Sequence, residues 1–126
     1  MSQPDQKLKH DLHARAYRFS LGVIKLTNDL PNKRSAWVIT DQLIRSATSI
    51  GANLVESRAS TSRLEFKRYN EISLKSANET KYWLALLGDL ELISRDRIHP
   101  LQDECSQLSN MLASGIIKLK ASKTVH

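Results

Sequence analysis

Apolar residues recur along this chain at alternating steps of three and four, the spacing of one face of an α-helix. In the second of four such stretches, the stripe consists of Ile39, Leu43, Ala47, Ile50 and Leu54. In the third, the predicted core positions are Phe66, Tyr69, Ile72, Leu74 or Ser73, Ala77, Trp83, Leu84, Leu87 and Leu90. The whole pattern predicts four helices, at about residues 5–29, 35–58, 62–93 and 95–121.

Local residues at the ends of these stretches predict where each helix begins and stops. Pro31 ends the first helix, because the residue before a proline is pushed out of the helical conformation. Ser62 and Glu65 form a capping-box pattern that opens the third helix. Gly88 costs about 1 kcal/mol inside a helix, so the third helix is expected to stop there or to fray to residue 93. The fourth begins between Ser94 and Pro100, since proline is tolerated in a first turn.

Three short connections join the four helices, and neighbours joined by few residues must lie antiparallel. The predicted fold is therefore all-α, a single antiparallel up-down-up-down four-helix bundle spanning residues 1–126. A three-helix bundle with a separate C-terminal arm is the alternative. It is disfavoured because the fourth helix carries a full apolar stripe that has to be buried.

A second, wholly polar stripe follows the second helix beside its apolar one. Its members, at steps of three and four, are Gln42, Arg45, Ser49, Asn53 and Glu56. An exposed helix face normally carries Lys and Glu at these spacings, whereas Gln, Ser and Asn around one Arg are typical of a hydrogen-bond network. The stripe thus predicts polar contacts within the bundle or at a subunit interface.

The partners of this stripe follow from the reversal between the second and third helices near residue 60. Arg45 would face Ser76, with Glu79 one turn further along. We hypothesise a partly buried Arg45–Glu79 ion pair, whose neighbouring groups are satisfied by Gln42, Ser49, Asn53 and Ser76. Glu56 would lie within reach of Arg63 or Lys67. Removing one member of a buried pair costs about 3–5 kcal/mol. A ligand or catalytic site and a solvated face are the alternatives.

Composition limits the classes of protein. With 126 residues, four Gly and three Pro, the chain fits one helix-rich domain. The lone Cys105 cannot form an intramolecular disulfide and suits a reducing compartment. The N-terminal residues have no apolar signal segment, and no apolar run approaches the roughly 18 residues of a membrane span. We therefore expect a cytoplasmic protein without membrane contact.

Patterns that would indicate catalysis or cofactor binding are missing from the sequence. No Glu is followed by His three residues later, as di-iron bundles require, and no Gly-rich phosphate loop or Cys-x-x-Cys occurs. His10 and His13 could bind a metal only weakly, and Cys105 is expected to be a small buried residue rather than a nucleophile. We expect neither enzymatic activity, nor a cofactor, nor a metal site.

Charge is the remaining functional signal, because the formal net charge is +6. In an up-down bundle the basic excess collects at the end that holds both chain termini and the connection between the second and third helices. A basic cluster of this kind predicts contact with the phosphate backbone of RNA or DNA, without base reading. The residues expected to make these contacts are Arg58, Arg63, Lys67, Arg68, Lys118, Lys120 and Lys123.

The chain also resembles a known family. The segments LTNDLP, DQLIRSATSIGANLVES and EFKRYNEISLKSANET are similar to four-helix-bundle proteins of the 23S rRNA intervening-sequence family. The family pattern is matched at Gln42, Leu43, Arg45, Ser49, Ile50, Asn53, Glu56, Ser76 and Glu79. The chain departs from it at three positions, Ser46 (usually Ala), Leu54 (usually Ile) and Ser57 (usually Gly).

This resemblance carries its own expectations about assembly and partners. Similar bundles accompany reverse transcriptases in diversity-generating elements, where they form pentameric barrels and bind nucleic acid. The resemblance thus implies a cyclic homo-oligomer, most simply a pentamer, with RNA, DNA, a reverse transcriptase or another protein as partner. Apolar residues off the core stripes, which one bundle has difficulty burying, also favour self-association; they are Trp37, Ile44, Tyr82 and Ile117.

Two functions from different classes follow. The first is an oligomeric nucleic-acid-binding protein, and the second is a protein-interaction or structural module whose basic charge is incidental. Their response to salt distinguishes them, because phosphate binding weakens steeply as salt rises and apolar docking does not.

Overall fold

The structure is a computed structural model that describes the backbone of residues 11–125 and the side chains of residues 11–121. Within these residues every regular element is a helix, and the helices pack against one another. The predicted all-α four-helix bundle is confirmed. Its helices are α1 (Leu12–Asn28), α2 (Arg34–Ala59), α3 (Arg63–Asp89) and α4 (Arg95–Val125).

The N-terminal caps of α1 and α3 show why these helices begin where they do. Asp11 caps α1, and its carboxylate accepts a hydrogen bond from the backbone N–H of His13 at 2.8 Å. This cap starts α1 later than the predicted residue 5; residues 5–10 lie outside the described part of the chain. Ser62 caps α3 as predicted, because its hydroxyl accepts from the N–H of Glu65 at 3.0 Å.

The structure decides between the two predicted ends of α3 and lengthens α4. The helix α3 stops at Asp89, next to Gly88, and does not extend to residue 93, because the backbone of Glu91 turns into the left-handed region with φ of 55°. The N–H of Glu91 then bonds to the carbonyl of Gly88 at 3.2 Å. The helix α4 begins at Arg95 as expected, contains Pro100, and continues to Val125.

Each helix packs against two neighbours, so that α1, α2, α3 and α4 surround one core in chain order. The contacts between α2 and α3 join Ile50 to Ser73, Ser49 to Ser76 and Ser46 to Thr80. Residue numbers fall along one helix as they rise along the other, so these two helices run in opposite directions. The same holds between α1 and α4, where Arg15 contacts Glu104 and Asp29 contacts Arg97.

The core follows the predicted stripe on α2 closely, and the predicted stripe on α3 less closely. All five predicted positions of α2 are buried. On α3 the buried stripe is Ser73, Ala77, Thr80, Leu84 and Leu87. Three predicted core residues are exposed instead, namely Phe66, Ile72 and Leu90.

Each of the three has its own physical reason. Ile72 is rotated about one residue away from the stripe, Phe66 sits in the first turn at the end of the bundle, and Leu90 follows the last turn of the helix.

The left-handed backbone of Glu91 predicts a gain in stability. Left-handed φ costs a residue with a Cβ about 1 kcal/mol, and glycine adopts it freely. Glu91→Gly is therefore expected to raise the free energy of unfolding by about 1 kcal/mol relative to Glu91→Ala, measured by urea denaturation. The alanine variant removes the same charge without relieving the backbone. Equal stability of the two variants would contradict the prediction.

Candidate functional site

The interface between α2 and α3 is a ladder of paired hydroxyl groups. Thr80 donates to the hydroxyl of Ser46 at 2.9 Å, and Ser76 donates to the hydroxyl of Ser49 at 2.9 Å. Ser73 donates to the backbone carbonyl of Ile50 at 2.8 Å. Because these side chains are small, the two helices lie close together along the ladder. No buried side-chain nitrogen or oxygen among the described residues lacks a hydrogen-bond partner.

Sequence reasoning placed Ser49 and Ser76 in this network but missed its most buried members. Ser46, Ser73 and Thr80 are at most 1% exposed. The available signal was the run of hydroxyl residues at positions 73, 76 and 80, at steps of three and four. Such a run on a core-facing stripe predicts hydrogen bonds to a neighbouring helix.

The hypothesised ion pair is present beside the ladder. One Arg45 nitrogen, Nη2, donates both to Glu79 Oε2 and to Gln42 Oε1. Trp83 Nε1 donates to the same Glu79 oxygen at 2.8 Å. The pair is nevertheless more exposed than the sequence suggested, since the side chains of Arg45 and Glu79 are 60% and 38% accessible. Solvent screens an ion pair at this position, so the expected cost of 3–5 kcal/mol for breaking it is too high for the single bundle.

Two further predicted members of the network lie apart from the ion pair. Asn53 donates to the backbone carbonyl and the hydroxyl of Ser49, both on its own helix. Glu56 is exposed and contacts neither Arg63 nor Lys67. That part of the prediction is wrong because Glu56 lies on an exposed face of α2, whereas Lys67 lines the groove between α3 and α4.

Ser57 stands where the family pattern has glycine, and the structure shows that no unusual backbone is needed there. Ser57 is helical and 2% exposed, and its hydroxyl donates to the carbonyl of Leu54 at 2.8 Å. Glu91 is the sole described non-glycine residue with positive φ. A serine therefore replaces glycine at this helical position without backbone strain.

The helices α1 and α4 are joined by an arginine that sequence reasoning missed. Arg15 binds both carboxylate oxygens of Glu104, at 3.0 and 2.7 Å, and Gln107 at 2.7 Å. The hydrogen bond to Glu104 raises the pKa of Arg15 above its ordinary value. No sequence signal pointed to this pairing, because the two residues lie 89 positions apart in the chain.

The residues considered for chemistry are held in structural contacts. Cys105 is fully buried and donates to the carbonyl of Ala77, and burial raises the pKa of its thiol to about 12. His13 contacts the carbonyl of Leu54 at 3.1 Å, whereas His10 lies outside the described residues. The backbone hydrogen bond from His13 lowers the pKa of Asp11. Residues 11–121 contain no cluster of three potential metal ligands.

The residues predicted to contact phosphate lie at one end of the bundle. Exposed cations there include Arg63 and Arg68 at the start of α3 and Lys118 and Lys120 near the end of α4. None of these four forms a hydrogen bond or ion pair with a described residue. The side chain of Lys123, also on α4, lies outside the described part of the chain.

Two members of the basic cluster differ from expectation. Arg58 is not free, because its Nη2 lies 3.9 Å from Asp11 Oδ2. Lys67 is half-buried rather than exposed, since it lines a groove between α3 and α4. The groove has a volume of about 250 Å³, and its described lining residues are Arg63, Leu64, Lys67 and Leu119.

Cations at the opposite end of the bundle are more often neutralised. Arg97 donates to Asp29 at 2.8 Å, joining the start of α4 to the end of α1. Arg95 donates to Asp89 at 3.3 Å across the connection between α3 and α4. The two ends thus differ in how many of their cations have a carboxylate partner, and not only in the number of basic residues.

The fold and the α2–α3 network define a class of small helical-bundle proteins in which a ladder of paired hydroxyl groups joins two neighbouring helices. The chain belongs to the 23S rRNA-intervening sequence protein family, whose model matches residues 9–114. It is similar to a protein of unknown function from the S23 ribosomal protein family of Bacteroides thetaiotaomicron, known from a 1.70 Å crystal structure. The two are 34% identical with a TM-score of 0.79, over 84% of this chain and 98% of the other.

A search of curated proteins found no match. The descriptions of the family and of the structural neighbour name no enzymatic activity. None of the described helices is both long enough and apolar enough to cross a lipid bilayer.

The Arg45–Glu79 pair predicts unequal effects of its two partners on stability. Arg45→Ala is expected to lower the free energy of unfolding by less than about 1 kcal/mol, because the pair is exposed. Glu79→Ala should cost about 1 kcal/mol more, since it also removes the acceptor of the Trp83 indole. Glu79→Gln, which keeps an acceptor oxygen, serves as the control and should recover most of that difference in thermal or urea unfolding. Equal losses for all three variants would contradict this account.

Proposed function

We propose that the protein is a non-enzymatic, self-associating bundle that binds the phosphate backbone of RNA or DNA with low sequence specificity. The contacts would come from the basic end, defined as Arg58, Arg63, Lys67, Arg68, Lys118, Lys120 and Lys123. One observation carries the proposal: four exposed cations at this end have no partner among the described residues. Cations without carboxylate neighbours are free to replace the counterions of a polyanion.

The two ends of the bundle provide an internal comparison. At the opposite end, Arg95 and Arg97 already bind carboxylates, so a phosphate there would have to compete with an existing ion pair. At the basic end, Arg58 alone among the described cations has such a partner, and at 3.9 Å that contact is long. Three cations at the opposite end are also exposed and have side chains without a partner among the described residues, namely Lys25, Lys33 and Arg34. Electrostatic attraction of a polyanion is therefore supported more strongly at the basic end, where fewer cations are held by carboxylates.

Self-association is supported by apolar side chains on the outer surface. Three of the four residues named from the sequence are more than half exposed: Trp37, Tyr82 and Ile117. Ile44 is half-buried and packs against the core. A further apolar row, unforeseen from the sequence, lies on the outside of α1 and consists of Tyr17, Leu21 and Ile24. Rows of this kind usually mark interaction surfaces.

Assembly and binding would reinforce each other. In a cyclic homo-oligomer, with the five copies that the resemblance implies, every subunit presents its basic end on the same side. One subunit offers a few weak phosphate contacts, and the ring multiplies them because the contacts after the first form at high effective concentration. Affinity for long strands would then exceed that of one bundle without any new kind of contact.

A protein-interaction module is the second candidate, favoured by a groove between α1 and α2. The groove has a volume of about 240 Å³ and is lined by His13, Tyr17, Ser20, Thr48, Gly51, Ala52 and Val55. Tyr17 and Val55 are both more than 60% exposed, so an apolar side chain of another protein could dock between them. Binding through this groove would depend little on salt, which separates it from phosphate binding.

Replacing cations at the basic end tests the nucleic-acid proposal. The triple variant Arg63→Gln, Lys67→Gln, Arg68→Gln is expected to bind a mixed-sequence oligonucleotide at least tenfold more weakly, a loss of about 1.4 kcal/mol. The dependence of affinity on salt should also become shallower, because fewer counterions are released. Fluorescence anisotropy across a salt series measures both quantities.

A matched control changes the same charge elsewhere. Lys25→Gln, Lys33→Gln and Arg34→Gln together remove three exposed cations from the opposite end and should leave affinity within about twofold. The proposal fails if wild type does not bind at low salt, or if both triple variants weaken binding equally. Circular dichroism and light scattering check that fold and assembly are unchanged.

The apolar rows predict a particle larger than the 14.3 kDa chain. Light scattering should give a closed multiple of that mass, five by the resemblance. Tyr17→Lys combined with Leu21→Lys should shift the mass toward one chain, because buried lysines at an apolar interface lose their hydration. Ser106→Lys, an exposed position on α4, is the control. A single-chain mass for wild type at all working concentrations would refute self-association.

A further inference from the structure

The groove between α3 and α4 at the basic end combines a basic surface with an apolar one. A purely electrostatic site would need only the basic surface. The walls of the groove are the side chains of Leu64 and Leu119, and its basic lining residues are Arg63 and Lys67. Leu64 is 58% exposed, although it follows Arg63 and lies one helical turn before Lys67, whose charges suit phosphate. None of the described lining residues is acidic.

The shape and chemistry of this groove restrict what can fill it. A volume of about 250 Å³ corresponds to roughly eight water molecules in the liquid, which is the size class of one heterocyclic base. Apolar walls favour a ligand with an uncharged flat surface, because water leaves both surfaces on contact. The cations favour a ligand that also carries negative charge nearby. An unpaired nucleotide has both properties, whereas the bases of a duplex are stacked away from such a slot.

Lys67 links the two surfaces. It lines the groove and is half-buried, which suits a long basic side chain, since such chains commonly pack their aliphatic stem on an apolar surface and keep the ammonium group in water. Arg63, one residue before Leu64, is exposed and has no partner among the described residues. Arg63 and Lys67 therefore lie one helical turn apart beside the apolar walls of the groove, where they could bind consecutive phosphates of one strand.

We infer that this groove is a nucleotide subsite that makes the protein prefer single-stranded over duplex nucleic acid. Leu64 and Leu119 hold one unpaired base, while Arg63 and Lys67 hold its neighbouring phosphates. The inference rests on the proposed function and adds a substrate class to it. A site with cations alone would favour the duplex, whose charge density is higher and whose release of counterions per contact is greater. A preference for the single strand therefore reports contact with bases.

Three fluorescent probes of equal length separate these contributions: a mixed-sequence DNA strand, its duplex, and an abasic strand that keeps sugar and phosphate. At one salt concentration, wild type is expected to bind the single strand at least tenfold more tightly than the abasic strand, and more tightly than the duplex. Leu64→Ser should lower affinity for the single strand to that for the abasic strand and leave duplex binding unchanged. Leu90→Ser, an exposed leucine at the opposite end, should change none of the three affinities.

Each contrary outcome has a definite meaning. If all three probes bind with salt-sensitive affinity but single and abasic strands bind equally, the base subsite is wrong and the proposed function stands. The same follows if Leu64→Ser weakens the three probes equally, or if Leu90→Ser acts as Leu64→Ser does. If no probe binds at low salt, the proposed function fails and the inference with it. Binding of an acidic amphipathic peptide in the groove, without binding of any strand, would overturn both in favour of a protein ligand.

Discussion

Close approach of α2 and α3 is the constraint on which the rest of the bundle depends. Large apolar side chains would hold two helices apart, but here Ser46, Ser49, Ser73 and Thr80 occupy the contact. Each hydroxyl group would be costly to bury alone, and each is satisfied by a partner on the facing helix or by a backbone carbonyl. The resulting ladder of hydroxyl groups fixes both the distance between the two helices and their register. A slip by one turn would leave several buried hydroxyls without partners.

The register of this ladder determines what lies beside it. It brings Arg45 opposite Glu79, where the carboxylate also accepts from Trp83. Contacts from Cys105 to Ala77 and from Ser109 to Asn78 join α4 to α3. They then place the start of α3 against the end of α4, where Leu64 and Leu119 line one groove. The ladder of hydroxyl groups and the basic end are thus two consequences of one packing arrangement.

Features carried by one helix face could be predicted from the sequence, and features that depend on the distance between helices could not. The apolar stripe of α2, the cap at Ser62 and the presence of the Arg45–Glu79 pair follow from residue type and spacing. The burial of Thr80, the exposure of Ile72 and the choice between Leu74 and Ser73 as the core position depend on which side of α3 meets α2, and the helical spacing of α3 permits more than one answer. The exposure of Glu56 likewise depends on which faces of α2 and α3 meet. The Arg15–Glu104 contact joins residues far apart in the chain, and no local pattern reports it.

The uneven distribution of ion pairs bears on how the bundle opens. Around the connections at one end, Arg97 ties α4 to α1 and Arg95 ties α4 to the end of α3. At the basic end, the contact between Arg58 and Asp11 is the one ion pair that joins helix ends among the described residues. Local unfolding generally starts where few contacts hold neighbouring segments together. The basic end is thus the natural starting point for fraying of α2, α3 and α4, where like charges also repel one another. A polyanion bound there, as proposed, would neutralise this repulsion and tie these helix ends together, so that its binding would suppress fluctuations at that end.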